Sequence, residues 1–241
     1  MKSLKLLFMV LILLAPCSKN GLTQPEFIIH AYGAFILPLA DLGPNASRID
    51  DPERYLETNY GMKIGFNVLT TEIKYAFGQK RNIRGVLGFS YSGFLNTDEL
   101  LTLGWANVYR DQMTLVTLYL GGEYAFMTKE KVIPFLGAAL TSNFFSGTNT
   151  NAESRFGLQF NLGADIIAGR NFGFVGGVKL DLANLFGKES STGFSSGQPL
   201  NDAAYTYNGK NVSSKNIAFM QIYAGFAFFF GQPKKNQEKV F

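Results

Sequence analysis

A chain of 241 residues with a formal net charge of +4 can hold one domain with a sizeable core, or one membrane barrel, and no linker or charge block divides it. Charged residues make up only 17%, against an ordinary ~25%, while 23 Phe, 11 Tyr and 26 Gly fit β-structure that faces something other than water. A single Cys excludes a disulfide framework, and a single His leaves little from which to build a metal cluster or a general base.

The first segment has the form of an export signal. Lys2 and Lys5 precede an apolar run from Leu6 to Leu14, and small or turn-forming residues follow. The run is shorter than the ~20 apolar residues of a transmembrane helix. Ala15-Pro16-Cys17 supplies small residues for cleavage before Ser18, so residues 1–17 are expected to be removed, with the cut lying between 17 and 24. The alternative is a lipoprotein signal with Cys17 acylated, and Pro16 in front of that cysteine speaks against it. Beyond a short segment, 18–25, no second long apolar run occurs, which excludes an α-helical membrane protein.

From residue 26 to residue 230 the dominant signal is alternation with period two. Residues 26–38 place Phe27, Ile29, Ala31, Gly33, Phe35 and Leu37 on one face, with Ile28, His30, Tyr32 and Ala34 on the other. Residues 59–77 change phase: Tyr60, Met62, Ile64, Phe66 and Val68 share one parity, and Leu69, Ile73, Tyr75 and Phe77 the other. A one-residue bulge near Val68–Thr70 restores a single apolar face; two short strands, making ten rather than eight in all, are the alternative. In 82–95, Leu87, Phe89 and Tyr91 oppose Arg84, Ser90 and Ser92. In 113–126, Val116, Leu118, Leu120 and Tyr124 oppose Thr117, Tyr119 and Glu123. The weakest pattern is 132–145, with Leu136, Ala138 and Leu140 as its apolar face. In 155–168, Phe156, Leu158, Phe160, Leu162 and Ile166 oppose Arg155, Gln159, Asn161 and Asp165. A turn at Gly169–Asn171 leads into 172–183, where Phe172, Phe174, Val178 and Leu180 oppose Lys179 and Asp181. The last strand, 217–230, sets Ile222, Phe226, Phe228 and Phe230 against Gln221, Tyr223 and Ala227; a polar tail, 231–241, follows.

Three regularities predict an all-β, eight-stranded antiparallel up-and-down transmembrane β-barrel. Connections alternate: short at 78–81, 127–131 and 169–171, long at 39–58, 96–112, 146–154 and 184–216, as in barrels with short periplasmic turns and long outer loops. Aromatic residues gather at strand ends on the apolar face. Phe27, Tyr75, Phe77, Tyr124, Phe126, Phe172, Phe228 and Phe230 form the expected girdle at the turn end, with Tyr60, Tyr91 and Phe156 near the other. Polarity is inverted, with Lys63, Lys74, Glu123, Arg155, Asp165, Lys179 and Asp181 expected in a polar lumen network and the continuous apolar face turned to lipid. Lys179 and Asp181 are expected to face Gln159, Asn161 and Asp165 across the turn at 169–171.

The run of strands, the phrase Val132-Ile133-Pro134-Phe135-Leu136-Gly137-Ala138-Ala139 and the closing Ala224-Gly225-Phe226-Ala227-Phe228-Phe229-Phe230 resemble the small outer-membrane barrel family of the OmpA/OmpX type. The resemblance covers about 26–230 and implies location in a Gram-negative-type outer membrane. It also implies contact with outer-membrane lipid and with the barrel-insertion machinery. Chains of that family typically end at the aromatic of the last strand; this one continues past Phe230, so either an internal signal or Phe241 would serve the machinery.

Catalytic chemistry is not expected. A hydrolytic triad needs a base within reach of a nucleophile, and His30 is placed on the inward face. No Cys/His cluster, Walker loop or acidic calcium loop occurs, Asp50, Asp51 and Glu53 read as solvated loop charge, and no cofactor or metal is implied. Without a basic stripe, nucleic acid is excluded as a partner. The expected function is that of a non-enzymatic outer-membrane barrel with a plugged lumen, whose loops serve envelope structure or contact surface components. The alternatives are a narrow conduit for a small or apolar solute, and a secreted soluble barrel that binds a lipophilic ligand.

Overall fold

The computed structural model describes residues 25–43, 60–78, 81–95, 112–128, 130–147, 152–190, 200–207 and 209–231. The expected signal with Cys17, the acidic residues 50, 51 and 53, and the tail from 232 to Phe241 lie outside the described residues. In chain order the strands are β1 (Phe27–Ala40), β2 (Ile64–Phe77), β3 (Ile83–Leu95), β4 (Gln112–Ala125), β5 (Val132–Gly147), β6 (Glu153–Ile167), β7 (Phe172–Phe186), β8 (Tyr205–Tyr207), β9 (Lys210–Val212) and β10 (Ile217–Phe230).

Eight of them close into a barrel in the order β1-β10-β7-β6-β5-β4-β3-β2, while β8 and β9 form a separate hairpin. Closure is made by β1, whose Phe27 pairs with Phe230 of β10 on one side and with Tyr75 of β2 on the other. Both ends of the barrel chain therefore meet at the end that carries the short turns. There Arg81 Nη1 donates to the Gly231 carbonyl at 3.0 Å and Arg81 Nη2 reaches Glu26 at 3.4 Å. A closed ladder leaves no strand edge and satisfies the backbone without water, the condition for β-structure in lipid.

Alternation sorts the side chains. Leu120, Leu140, Leu162 and Phe226 stand 50–68% exposed, while the charged Lys74, Arg84, Asp165 and Lys179 are buried. The eight residues expected to form a girdle all lie on the outward face: Phe27 is half-buried and the other seven are exposed. Tyr75 packs edge-on against Phe77, Tyr124 against Phe126, and Phe172 against Phe174 and Phe228. An apolar exterior of this extent, over a charged interior, suits hydrocarbon and not water.

The phase change in β2 is a single bulge. The β2–β3 register shifts between Asn67 and Leu69, so Val68 and Leu69 both face outward and one strand serves where two were the alternative. Three expectations need correction. The second strand starts at Ile64 and not at 59: Gly61 has φ of 69°, and the backbone of 60–63 bonds to Asp41, Leu42 and Leu95 outside the ladder. Met62 is consequently buried, and Tyr60 packs onto the interior where an outward position was expected. The connection expected at 146–154 is only 148–152, because β5 and β6 each run two residues further. With five residues it is no longer than the turn 126–131, so the alternation of lengths fails at that loop. The long region 184–216 contains the hairpin β8–β9, which has too few residues to register as a period-two pattern.

Leu162 and Ile222, 59% and 50% exposed, sit mid-strand. Leu162→Arg or Ile222→Arg should destabilise the barrel in bilayers by about 2–4 kcal/mol, and Leu162→Met hardly at all. Urea titration read by the gel mobility of the folded form checks this.

Candidate functional site

The interior has three levels. At the turn end, Ile28, Ala125, Ile133, Phe135, Val175 and Phe229 belong to one buried apolar cluster, which reaches up to Tyr32 and Tyr223. At the loop end, Ile36, Met62, Phe94, Met113, Leu115, Phe145 and Phe219 belong to another. Between them lies the polar level, supplied by the inward parity of nearly every strand.

Its centre is a ring of six side chains in which basic and acidic residues alternate. Lys74 Nζ lies 3.3 Å from Glu72 and 2.6 Å from Glu123; Arg84 Nη1 lies 2.6 Å from Glu123 and 2.7 Å from Asp165. His30 closes the ring, with Nε2 2.9 Å from Asp165 and Nδ1 3.2 Å from Glu72. The face of Phe135 lies under Lys74 Nζ, 4.0 Å from the ring centroid.

Glu72 joins this ring to a second arm. Its Oε1 accepts from Lys179 Nζ and Tyr32 OH, both at 2.6 Å, and from Tyr119 OH at 2.8 Å. Lys179 also donates to Gln159, whose amide donates to Asp181 at 2.7 Å, and Gln221 donates to the other oxygen of Asp181 at 2.8 Å. Tyr223 OH donates to Asn161 at 2.8 Å. This tyrosine lies against Gly163 and Gly177, and a Cβ at either glycine would collide with its hydroxyl.

A third group lies at the mouth. Arg155 donates through Nε and Nη2 to Asp202 at 3.0 and 3.1 Å, and through Nη2 to Glu153 at 2.5 Å. Tyr60 OH donates to the Leu200 carbonyl at 2.6 Å, and the Tyr60 ring faces Lys215 Nζ at 5.4 Å. Burial, reinforced by Asp202, pushes the Tyr60 phenol well above its ordinary value; burial pushes the Lys215 ammonium down, against the opposing pull of Asp41 and Asp202.

Of the residues expected in one lumen network, Lys74, Glu123 and Asp165 lie in the ring, Lys179 and Asp181 in the arm, and Arg155 apart from both at the mouth. Lys63 precedes β2 and is half-buried at the loop end, where its backbone N–H donates to the Leu95 carbonyl. The expected meeting of Gln159 with Asp181 and of Asn161 with Lys179 is the β6–β7 register, but Asp165 stands opposite Val175 and turns to Arg84 and His30. Sequence reasoning left out Glu72. Its parity with Lys74, counted beyond the bulge, was the available signal. It also left out Asp202, which lies in a loop without periodicity. Among the described residues no group of three or more His, Cys, Asp or Glu could hold a metal ion.

No protein-family model and no curated protein matches the chain. Among solved structures it is similar to Neisserial surface protein A, at 17% identity and a TM-score of 0.51, covering 85% of this chain and 97% of that one. The chain has the fold of the small eight-stranded outer-membrane barrels. It is also similar to the outer membrane protein OprG from Pseudomonas aeruginosa, at 12% identity and a TM-score of 0.49, covering 88% and 99%. Identities this low speak for the fold and for nothing finer.

Removing Glu72 would take the carboxylate from Lys179 and one of two from Lys74 and from His30, so Glu72→Ala should cost about 3–5 kcal/mol, as for a buried pair broken on one side. Urea unfolding of the variant in bilayers reads the loss. Lys215 makes a second prediction. Its depressed pKa means that the unfolded chain binds more protons between that value and the ordinary 10.5, so stability rises with pH across this window. Lys215→Met should therefore melt above wild type at neutral pH, with the gap narrowing as the pH approaches 10.5.

Proposed function

We propose that this chain is an outer-membrane barrel protein that seals its own lumen and presents its long connections at the cell surface, without catalytic activity. The observation that carries this reading is the stacking of the interior: a buried ionic level between two buried apolar clusters. At eight strands the lumen is just wide enough for side chains to fill it. The apolar exterior and the fold support an outer-membrane location, with lipid and the insertion machinery as partners. His30, the one imidazole, stands buried between Glu72 and Asp165, which leaves it no nucleophile to serve. The three short turns gather at one end, by the barrel termini, and the connections 41–63, 96–111, 148–152 and 187–216 at the other. Envelope structure or contact with surface components suits such an arrangement.

Planar-bilayer recording on the purified protein tests the seal. No stable, large single-channel conductance is expected from wild type; a steady conductance comparable to that of an open pore would refute it. Protease added to intact cells should cut within 187–216 and spare 78–82 and 126–131, and the reverse pattern would invert the orientation.

A further inference from the structure

The mouth of the barrel holds a carboxylate in a cradle of four donors. Asp202 Oδ1 accepts from Arg155 Nη2 at 3.1 Å and from the Glu189 backbone N–H at 2.9 Å; Oδ2 accepts from Arg155 Nε at 3.0 Å and from Asn184 Nδ2 at 2.9 Å. Arg155 and Asn184 stand on the barrel wall, on β6 and β7, and the carboxylate comes from the long connection between β7 and β10. Two residues earlier, Leu200 belongs to the buried loop-end apolar cluster that also holds Phe94, Met113 and Phe145. Leu200 and Asp202 are 2% and 0% exposed, and Asn201 between them holds a left-handed φ of 47°.

Three consecutive residues thus present an aliphatic body to an apolar pocket and a carboxylate to a bidentate arginine, the pairing an amphiphilic acid would make. The segment is not part of the barrel ladder. Its backbone is held by Asp202 N–H to Glu189, by the Asp202 carbonyl to the Lys215 N–H and by the Leu200 carbonyl to Tyr60. With it withdrawn, Arg155 would face the vacated space with Lys215 nearby, and Glu153 would offset only part of the Arg155 charge through its own bond.

We propose that Leu200–Asp202 is a ligand the chain supplies to itself, and that the barrel mouth is a binding site for a small amphiphilic carboxylate, which enters by displacing this segment. The inference goes beyond the sealed-lumen reading and stands independently of it, because the site lies at the loop end of the ionic level. A tethered competitor acts at an effective concentration on the order of mM, so wild type binds a free acid weakly and loss of the competitor unmasks the site.

The test uses full-length protein in lipid nanodiscs, with octanoate as the probe and octanol as its uncharged counterpart, read by isothermal titration; heat-modifiable gel migration reports folding. Asp202→Ala should bind octanoate at least about tenfold more tightly than wild type, as expected when a tethered competitor is removed. Octanol should show no such gain, and Arg155→Gln in the Asp202→Ala background should abolish it. Leu200→Ala, which removes the tethered aliphatic group and leaves the charges in place, should also gain in octanoate affinity. Folded Asp202→Ala that binds octanoate no more tightly than wild type, or gains equally for octanol, overturns the proposal. If Asp202→Ala does not fold, Leu200→Ala decides, and an absent gain there overturns it.

Discussion

The structure depends on one interaction: the ring His30–Glu72–Lys74–Glu123–Arg84–Asp165, in which Lys74 and Arg84 each stand between two carboxylates and His30 bridges the remaining two. Isolated charges taken out of water cost several kcal/mol each even after relaxation, and a single ion pair rarely recovers that cost. A closed alternating ring does better, because each group is compensated twice at 2.6–3.3 Å. The members come from β1, β2, β3, β4 and β6, so the ring also ties together strands distant in the chain. A slip of one residue in any of them would move a charge into lipid and a Phe or Leu into the lumen. Register is therefore held from both faces at once.

Packing around the ring follows from the width of an eight-stranded lumen. Large inward rings need room, and glycine on a facing strand provides it. Tyr119 lies across Gly88, where a Cβ would run into its ring, and thereby brings its hydroxyl to Glu72. Phe135 fills the turn-end side and offers its π face to Lys74. Phe94 and Phe219 meet edge to face at 5.3 Å near the mouth. The ionic level lies between the two buried apolar clusters, and an ion pair in a low-dielectric surrounding is screened far less than one in water.

Much of this was legible in the residues. The eight strands, the inward placement of Lys74, Glu123, Asp165 and Lys179, and the bulge near Val68 all express period two, which depends on nothing but the pleat. What lay beyond reading depends on distance in the chain. That Arg84 meets Asp165 is set by barrel diameter and strand tilt, which no local pattern encodes. Where the strands stop is set by loop packing: Gly61 and the bonds of 60–63 to Asp41 and Leu42 pull Met62 inward although its parity points out. Asp202 sits in a connection rich in Ser, Gly and Asn, with no periodicity to mark it, and its role comes from Arg155 on the wall.

Water-edited solid-state NMR of the arginine side chains in lipid bilayers tests the sealed ring most directly. Arg84, buried in the ring, and Arg81, on the turn-end surface, serve as an internal pair in one sample. The account predicts rapid transfer of water polarisation to the Arg81 guanidinium and slow transfer to that of Arg84. Equal, rapid transfer to both would mean a hydrated lumen and would contradict it.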